Sequence, residues 1–392
     1  MSGMPRVATR ALALFVLALA LAGASCAKKA GAPEATVVPA TSAPAATATA
    51  TVTATSTATT AAAAVADSTP LAAAAAPPAD GSSPSVTISA VGDISLGRQV
   101  VDRMQANGAE YPFALVAPLI TGDIGFANLE GPLTDRGEIW PKGYNFRTPP
   151  RFASALLTGH VNVVSLANNH AMDYGAIGLQ DTITALDATG VRHSGGGDSI
   201  LQAVTPVVFD VRGVRVAFVA CVLTPNEAGG FDIHAWAARA GEPGIAVCDA
   251  ALLRDAITAA RKLADFVVVA VHAGDEYHNA PSATQRELAD AALASGADVY
   301  LGAHAHVVQP VERRGNQLIA WGLGNFIFDL DDVDLANIPE PRVSLILNIT
   351  LTKGRGVTSY EAVPVTLDEN EDRPRPATAG EAAVLRGLIG RD

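Results

Sequence analysis

Residues 249–272 read DAALLRDAITAARKLADFVVVAVH, in which an amphipathic helical pattern leads into an apolar run that ends in a histidine. Apolar residues recur at helical spacing up to residue 264, and the run that follows is rich in β-branched valine. The same order recurs directly afterwards, with a helical pattern over 282–296 and the strand-like run DVYLGAH over 298–304. Two consecutive helix–strand units of this kind predict a layered α/β domain with buried strands.

The pattern extends from this pair toward both ends of the chain. Further strands are predicted over 85–91, 123–129 and 161–167, and further helices over 150–158 and 174–190. Hairpins are predicted over 205–222, 307–322 and 343–367, where two apolar runs flank a polar or glycine-containing turn. Antiparallel hairpins beside helix–strand units indicate a mixed sheet or two stacked sheets.

Polar side chains follow five of the predicted strands at the point where each strand ends. In chain order these side chains are Asp93, then Asn128 and Glu130, then Asn168, Asn169 and His170, then His272, then His304 and His306. Functional groups of open α/β sheets gather beyond the carboxyl ends of the strands, so we expect these groups to converge. Imidazole, amide and carboxylate groups together suit zinc, manganese or iron. The sequence therefore predicts a divalent metal site, in which the alternate residues His304 and His306 grip one ion.

The chain is acidic overall, which excludes a general nucleic-acid-binding protein, but it contains one basic segment. The 392 residues carry 27 Lys plus Arg and 39 Asp plus Glu, a formal net charge of −12. A general nucleic-acid-binding protein needs a basic surface, so no nucleic-acid partner is expected. The segment PKGYNFRTPPRF (141–152) is locally basic. Arg147 in it is a candidate clamp for a phosphate or carboxylate, and the alternative is a solvated surface charge.

The first part of the chain has the pattern of an export signal and a tether. A basic flank, the apolar run 11–22 and small residues before Cys26 predict a signal peptide of lipoprotein type over 1–26, with Cys26 lipidated. The alternative is ordinary signal cleavage, with Cys26 a bystander. Residues 27–85 are rich in Ala, Thr and Pro and are typical of a disordered tether. These features predict an extracytoplasmic protein, anchored at the cell surface through its lipid.

The boundaries that follow place a folded domain over 86–367 and a polar tail over 368–392 that can hold a short helix. Within the domain, Cys221 and Cys248 are expected either to form one disulfide or to remain as two buried free thiols. Three cysteines in a chain of this length exclude a disulfide-stapled framework.

Six motifs in order resemble a known family. They are VGDISLGR (91–98), ANLEGPLT (127–134), LANNHAMDYG (166–175), VHAGDEY (271–277), GAHAHVVQP (302–310) and GLGNFIFD (322–329). Together they resemble the bacterial CapA family, which is linked to poly-γ-glutamate capsule synthesis. That family in turn resembles the calcineurin-like metallophosphoesterases. The resemblance implies stacked mixed β-sheets flanked by helices, in α/β/β/α layers, and a centre of two divalent ions.

The same resemblance implies roles for individual residues. The implied metal ligands are Asp93, Glu130, Asn169, His272, His304 and His306. Asp123 is the alternative to Glu130, and Ser95 stands where the phosphoesterase pattern has a histidine. His170 resembles the general acid, and Asp173 either orients it or caps the next helix. The residues expected to support the ligands are Asn128, Asn168, Glu276 and Asn325.

Three functions are consistent with this reading, and the balance favours an enzyme. The first is a metal-dependent hydrolase of the phosphoesterase type that acts on an envelope polymer such as poly-γ-glutamate. The second is a non-catalytic, metal-containing accessory protein of a membrane-bound polymer synthesis or export complex, which the serine at position 95 favours. The third, weaker one is an amidase or ligase component that acts on γ-glutamyl bonds.

Overall fold

The computed structural model describes residues 83–227, 230–339, 342–368 and 370–390. The predicted signal peptide, Cys26 and nearly all of the predicted tether lie outside these residues. Among the helices that are described, none combines the length and the apolar character that a membrane crossing requires.

Sixteen strands and eight α-helices make up this part of the chain. The strands are β1 (Ser85–Ile94), β2 (Ile124–Leu129), β3 (Val163–Ser165), β4 (Arg192–Ser194), β5 (Gly196–Gly197), β6 (Val207–Val211), β7 (Val214–Leu223), β8 (Gly244–Ile245), β9 (Phe266–Ala273), β10 (Val299–Ala303), β11 (Val311–Arg314), β12 (Gln317–Ala320), β13 (Asn325–Ile327), β14 (Val343–Thr352), β15 (Gly356–Asp368) and β16 (Arg373–Pro376). The helices are α1 (Gln99–Asn107), α2 (Ala155–Thr158), α3 (Gly175–Thr189), α4 (Ile200–Ala203), α5 (Ala250–Arg261), α6 (Ala283–Ala294), α7 (Asp332–Asn337) and α8 (Ala379–Ile389). Short 3₁₀ turns cover Tyr111–Phe113, Ala117–Leu119, Pro150–Ser154 and Ile233–Trp236.

The strands form two mixed sheets. One has the order β16-β15-β14-β1-β2-β3-β4, with β13 paired to β1, and the other has the order β11-β12-β10-β9-β7-β6. The two small strands β5 and β8 pair with each other. In the first sheet β1 is parallel to β2 but antiparallel to β14. In the second, β9 is parallel to both β7 and β10.

The side chains of β9 show how the layers stack. Successive strand residues point to opposite faces of a sheet. Val268 and Ala270 belong to the core cluster that also holds β1 and β2, whereas Val267 and Val269 belong to the cluster that holds α5 and α6. Phe126 of β2 stacks on Phe218 of β7, with 5.9 Å between ring centroids, so the two sheets face each other. The prediction of stacked mixed sheets flanked by helices is confirmed.

Local sequence explains the two helices that pack behind the second sheet. Asp249 accepts hydrogen bonds from the N–H groups of Ala251 and Leu252 at the start of α5. Ser282 and Gln285 form a reciprocal capping box at the start of α6. Both helices begin one residue after these caps, close to where the helical pattern predicts them.

Two predicted elements differ from the observed ones. The predicted helix over 150–158 is a 3₁₀ turn over Pro150–Ser154 followed by the four-residue α2. The polar tail carries more structure than a short helix. It adds β16 to the edge of the first sheet and the eleven-residue α8, whose Leu385 is buried in the main core.

Glycine is required where β1 and β13 meet. A Cβ atom on Gly92 would lie 1.8 Å from the carbonyl oxygen of Gly324, so no side chain fits there. This close approach pairs Asp93 with Asn325 at the end of the sheet. The first and last of the six motifs therefore meet at the edge where the polar residues gather.

The alternatives for the cysteines are resolved in favour of a disulfide. Cys221 in β7 is bonded to Cys248, just before α5, across a sequence separation of 27 residues. The bond links β7 of the second sheet to the segment that leads into α5.

We predict that replacing both cysteines with alanine lowers the free energy of unfolding by roughly 3 to 4 kcal/mol, because the disulfide restricts the unfolded chain over that separation. Urea unfolding followed by circular dichroism measures this difference. Reduction of the wild-type protein should give a similar loss, and equal stability of the oxidised and doubly substituted proteins would contradict the prediction.

Candidate metal centre

The polar residues that follow the core strands do converge. Asp93 and His272 lie near the ends of β1 and β9. Glu130 follows β2, and His304 and His306 follow β10. All five side chains are buried, and Asp93 and Glu130 are 0% and 1% exposed. The parallel strands bring their carboxyl ends to one edge, which is why residues separated by more than two hundred positions meet there.

An inner group consists of Asp93, Glu130 and His272. One ligand atom from each of them lies within 4.8 Å of the others. Asn128 donates hydrogen bonds to Asp93 Oδ1 at 2.8 Å and to Glu130 Oε2 at 3.2 Å, so it holds the two carboxylates in place. Asn169 joins the group through its Oδ1 atom, 2.9 Å from His272 Nε2.

Asp123 lies away from this group. Its carboxylate accepts a hydrogen bond from the backbone N–H of Thr87 at 2.9 Å and is paired with Arg212 at 2.7 Å. It directly precedes β2, at the end of that strand away from the site. Glu130 is therefore the carboxylate that this part of the chain contributes.

An outer group consists of Glu276, His304 and His306, whose ligand atoms also lie within 4.8 Å of one another. Asn325 places one of these rings, with its Oδ1 atom 2.8 Å from His306 Nδ1. Both histidines have positive φ angles, 89° at His304 and 57° at His306. Such angles are rare for residues other than glycine and cluster at functional sites.

The electrostatics of these groups fit a divalent cation. Burial raises the pKa of Asp93, and burial together with the nearby Asp93 carboxylate raises that of Glu130 well above its ordinary value. Burial lowers the pKa of His272 and His304, which keeps these imidazoles neutral and able to bind metal. Burial acts against protonation of His306 too, but the carboxylates of Glu130 and Asp93 raise its pKa to about 9.

Buried polar atoms that lack a hydrogen-bond partner also indicate a cation site. Glu130 Oε1 and His304 Nδ1 are buried and have no hydrogen-bond partner among the described residues. Buried polar atoms are normally paired, and buried carboxylates need a compensating charge. A bound cation would satisfy both requirements, so the residues present fit a metal.

His170 stands beside the inner group in a defined orientation. Its Nδ1 atom lies 2.8 Å from Asp173 Oδ2, and its Nε2 atom lies 4.0 Å from Glu130 Oε1. Burial lowers the pKa of His170, and Asp173 opposes this effect. Helix α3 begins after Tyr174 without a side-chain cap, so Asp173 orients His170 and does not cap the helix.

Lys142 is a residue of this site that the sequence analysis did not assign. Its side chain is 0% exposed, and its Nζ atom lies 3.0 Å from Asp173 Oδ1 and 3.6 Å from Glu227 Oε1. It also donates to the carbonyl of Asn169. The ammonium group packs against the rings of Phe231 and Trp236, at 5.3 and 5.2 Å from their centroids. In the sequence, Lys142 is indicated by its place in the basic segment 141–152, but that segment indicates Arg147 and Arg151 equally.

The remaining supporting residues also have defined contacts. Asn168 donates to the carbonyl of Leu129 at 2.7 Å and accepts from the backbone N–H of His170 at 3.1 Å. Asn169 donates to Glu227 Oε1 at 2.8 Å. These bonds connect the loop after β3 to the end of β2 and to the segment that follows β7.

The expected role of Arg147 does not fit its position. Its guanidinium group lies over the ring of Tyr174, 4.7 Å from the centroid, and it is absent from the lining of the cavity at the site. The backbone turns this exposed side chain away, which the sequence alone does not show. Arg98 lines the cavity instead, with Nε 3.2 Å from Asp329 Oδ2.

A cavity with a volume of about 470 Å³ lies beside the outer group. Aromatic rings of Tyr144, Phe146, Tyr277 and Phe328 form part of its wall. His170, His304 and His306 line it as well, so the outer group and the candidate acid are reached from one opening.

We predict that Lys142→Met lowers the free energy of unfolding by roughly 3 to 5 kcal/mol, because it leaves the buried Asp173 carboxylate without its cation. Urea unfolding measures the loss. Arg151→Met, which removes an exposed cation of the same segment, serves as the matched control and should change stability little. Adding Asp173→Asn to Lys142→Met should recover part of the loss, and additive losses would contradict the prediction.

Comparison with known proteins places the chain in a family. The family model described as "Bacterial capsule synthesis protein PGA_cap" matches residues 87–330. The chain is 32% identical over 293 residues to "PGA biosynthesis protein CapA" of Bacillus subtilis, which covers 74% of this chain and 73% of that protein. It is 30% identical over 319 residues to "Capsule biosynthesis protein CapA" of Bacillus anthracis, with 77% and 72% covered. A "Probable polyglutamine synthesis accessory protein" of Mycobacterium tuberculosis is 28% identical over 278 residues, with 69% and 72% covered.

Solved structures give weaker likenesses. A hypothetical protein from Thermus thermophilus matches with a TM-score of 0.43 and 16% identity, over 71% of this chain and 99% of that one. A 5'-nucleotidase precursor from the same organism matches with a TM-score of 0.40 and 15% identity, over 78% and 58%. Scores of this size carry no argument about mechanism.

The sequence relatives agree with the resemblance drawn from the six motifs, and the matched region contains all of the metal-centre residues named above. The match over residues 87–330, together with 32% identity to a curated relative across about three quarters of both chains, shows that this chain belongs to the bacterial capsule synthesis protein family PGA_cap.

Proposed function

We propose that this protein is an extracytoplasmic, metal-dependent hydrolase of the phosphoesterase type that acts in the synthesis or export of poly-γ-glutamate or a related envelope polymer. The observation that carries the proposal is the placement of the His170–Asp173 pair directly beside the buried group Asp93, Glu130 and His272. A purely structural metal site needs no oriented imidazole next to it. A site that must deliver a proton does.

The first step is metal binding by the two groups. Asp93, Glu130, His272 and Asn169 would hold one ion, and His304 and His306 would contribute to a second. Manganese, zinc or iron suits these ligands. Metal bound there would supply Lewis-acid chemistry: it would polarise a phosphoryl or carbonyl oxygen and acidify the water molecule that attacks the adjoining phosphorus or carbon.

The second step is proton transfer by His170. Asp173 accepts a hydrogen bond from Nδ1, which leaves Nε2 as the atom that faces the inner group and the cavity. Lys142 fixes the other oxygen of Asp173, so the carboxylate cannot turn away. His170 would hold a proton at Nε2 and donate it to the leaving group as the scissile bond breaks.

The polymer and the location rest on other observations. Relatives are named for PGA biosynthesis, capsule biosynthesis and polyglutamine synthesis, which supports a role with a glutamate-type polymer and its membrane-bound synthesis or export proteins. The Cys221–Cys248 disulfide supports an oxidising compartment outside the cytoplasm. The lipoprotein-type signal before Cys26 supports anchoring at the membrane.

The second candidate is a non-catalytic accessory protein that keeps a metal centre for binding or stability. Ser95 favours it, since a serine occupies the place of an expected histidine ligand. The acidic residues Glu227, Asp275 and Glu276 at the cavity also disfavour close approach of an anionic polymer unless bound cations offset their charge.

We predict that the manganese-loaded protein hydrolyses the test phosphodiester bis(4-nitrophenyl) phosphate, and that His170→Ala lowers kcat by roughly 10² to 10⁴-fold with unchanged metal content. His234→Ala removes an exposed histidine and is the matched control, with wild-type turnover expected. Release of nitrophenolate and elemental analysis of the same samples give the two readouts. Bound metal without turnover of this diester or of poly-γ-glutamate would favour the accessory role.

We also predict that the wild-type protein sediments with membranes in its native host and carries an acyl group on Cys26, whereas Cys26→Ala appears in the soluble extracytoplasmic fraction. Fractionation with mass spectrometry of the N-terminal peptide tests this. Wild-type protein in the soluble fraction with an unmodified cysteine would contradict the lipid anchor and leave ordinary secretion.

A further inference from the structure

We propose that Glu276 is a direct ligand of a separate outer cation, held with His304 and His306, and that this position binds its ion more weakly than the inner one does. The inference rests on the proposed function, because it assumes that the centre binds metal at all. It assigns Glu276 a different role from the supporting one that the sequence indicates.

Backbone contacts fix Glu276 relative to the two histidines. The N–H of the next residue, Tyr277, donates to the carbonyl of Ala305, which lies between them, at 2.8 Å. The Tyr277 ring stacks on His306 with 5.8 Å between centroids. The Tyr277 hydroxyl donates to Asp334 Oδ1 at 2.9 Å. The backbone N–H and the side-chain hydroxyl of Tyr277 therefore both hold the loop after β9 in place.

Glu276 and His304 each offer a ligand atom that has no hydrogen-bond partner among the described residues. No described residue donates a hydrogen bond to the Glu276 carboxylate, although it lies within 4.8 Å of ligand atoms of both histidines. His304 Nδ1 is buried and has no hydrogen-bond partner among the described residues. An unpartnered buried nitrogen beside a free carboxylate is the arrangement that a cation would complete.

The inner and outer groups differ in charge and in rigidity. The inner group contains the two buried carboxylates of Asp93 and Glu130, and both accept hydrogen bonds from the side-chain amide nitrogen of Asn128. The outer group brings one carboxylate, and Glu276 is exposed on a loop. Fewer negative ligands and a less rigid frame lower the affinity for a hard divalent cation. We therefore expect the two positions to fill in order, the inner one first.

The test is manganese binding to the full-length protein, measured by equilibrium dialysis with elemental analysis and by electron paramagnetic resonance. The wild type should bind two ions per chain with unequal affinities, and the filled protein should give the spectrum of a magnetically coupled pair. Glu276→Gln should retain one tight ion, lose the coupled spectrum, and bind the second ion more than about 100-fold more weakly. A residue that only supports a ligand changes affinity by roughly 10 to 100-fold, so this size of effect separates the two roles.

Asp275→Asn is the matched control, since it removes a neighbouring exposed charge from the same loop without removing a ligand. It should keep two ions and the coupled spectrum, and circular dichroism should show that both variants are folded. Two tight ions in Glu276→Gln, or an equal loss in Asp275→Asn, would overturn the inference and leave the proposed hydrolase in place. One ion in the wild type would overturn the outer position alone. No ion in the wild type would overturn both this inference and the metal centre.

Discussion

Asp93 and Glu130 are two carboxylates buried side by side, and no described lysine or arginine forms an ion pair with either of them. Removing charged groups from water without a partner is costly, so such a pair is stable only when protonated or bound to a cation. The rest of the site is arranged around this constraint. Asn128 bridges the two carboxylates, the imidazoles of His272 and His306 border them, and a cavity opens beside His306. The fold therefore holds together two carboxylates whose burial is unfavourable and which a bound cation would stabilise.

A second buried charge lies a short distance away and has the opposite sign. Lys142 is fully enclosed, yet it is paired with Asp173 and Glu227 and faces two aromatic rings. Its ammonium group fixes Asp173, Asp173 fixes His170, and His170 faces Glu130. One chain of contacts thus connects a loop cation to the inner group, and it explains how an imidazole keeps one orientation beside a charged centre.

Much of the fold and the convergence of the polar strand-end residues could be predicted from the sequence, because both depend on local pattern. The period of apolar residues identifies α5, β9, α6 and β10, and the residues that end the parallel strands must share one edge. Side-chain direction and contacts between distant segments do not leave such a pattern. Arg147 and Lys142 lie five residues apart in one basic segment, but only the folded backbone turns one outward and the other into the site. The strand of the tail was missed for a similar reason, since β16 depends on pairing with β15.

The contact between Gly92 and Gly324 has a consequence for which substitutions the fold can tolerate. Any side chain at position 92 would collide with the carbonyl oxygen of residue 324, over two hundred residues away along the chain. That oxygen belongs to the backbone, so no replacement at position 324 can make room for a side chain at position 92. A substitution of Gly92 would have to displace the start of β13 and would separate Asp93 from Asn325. Position 92 is therefore intolerant of substitution although it contributes no side chain to the site.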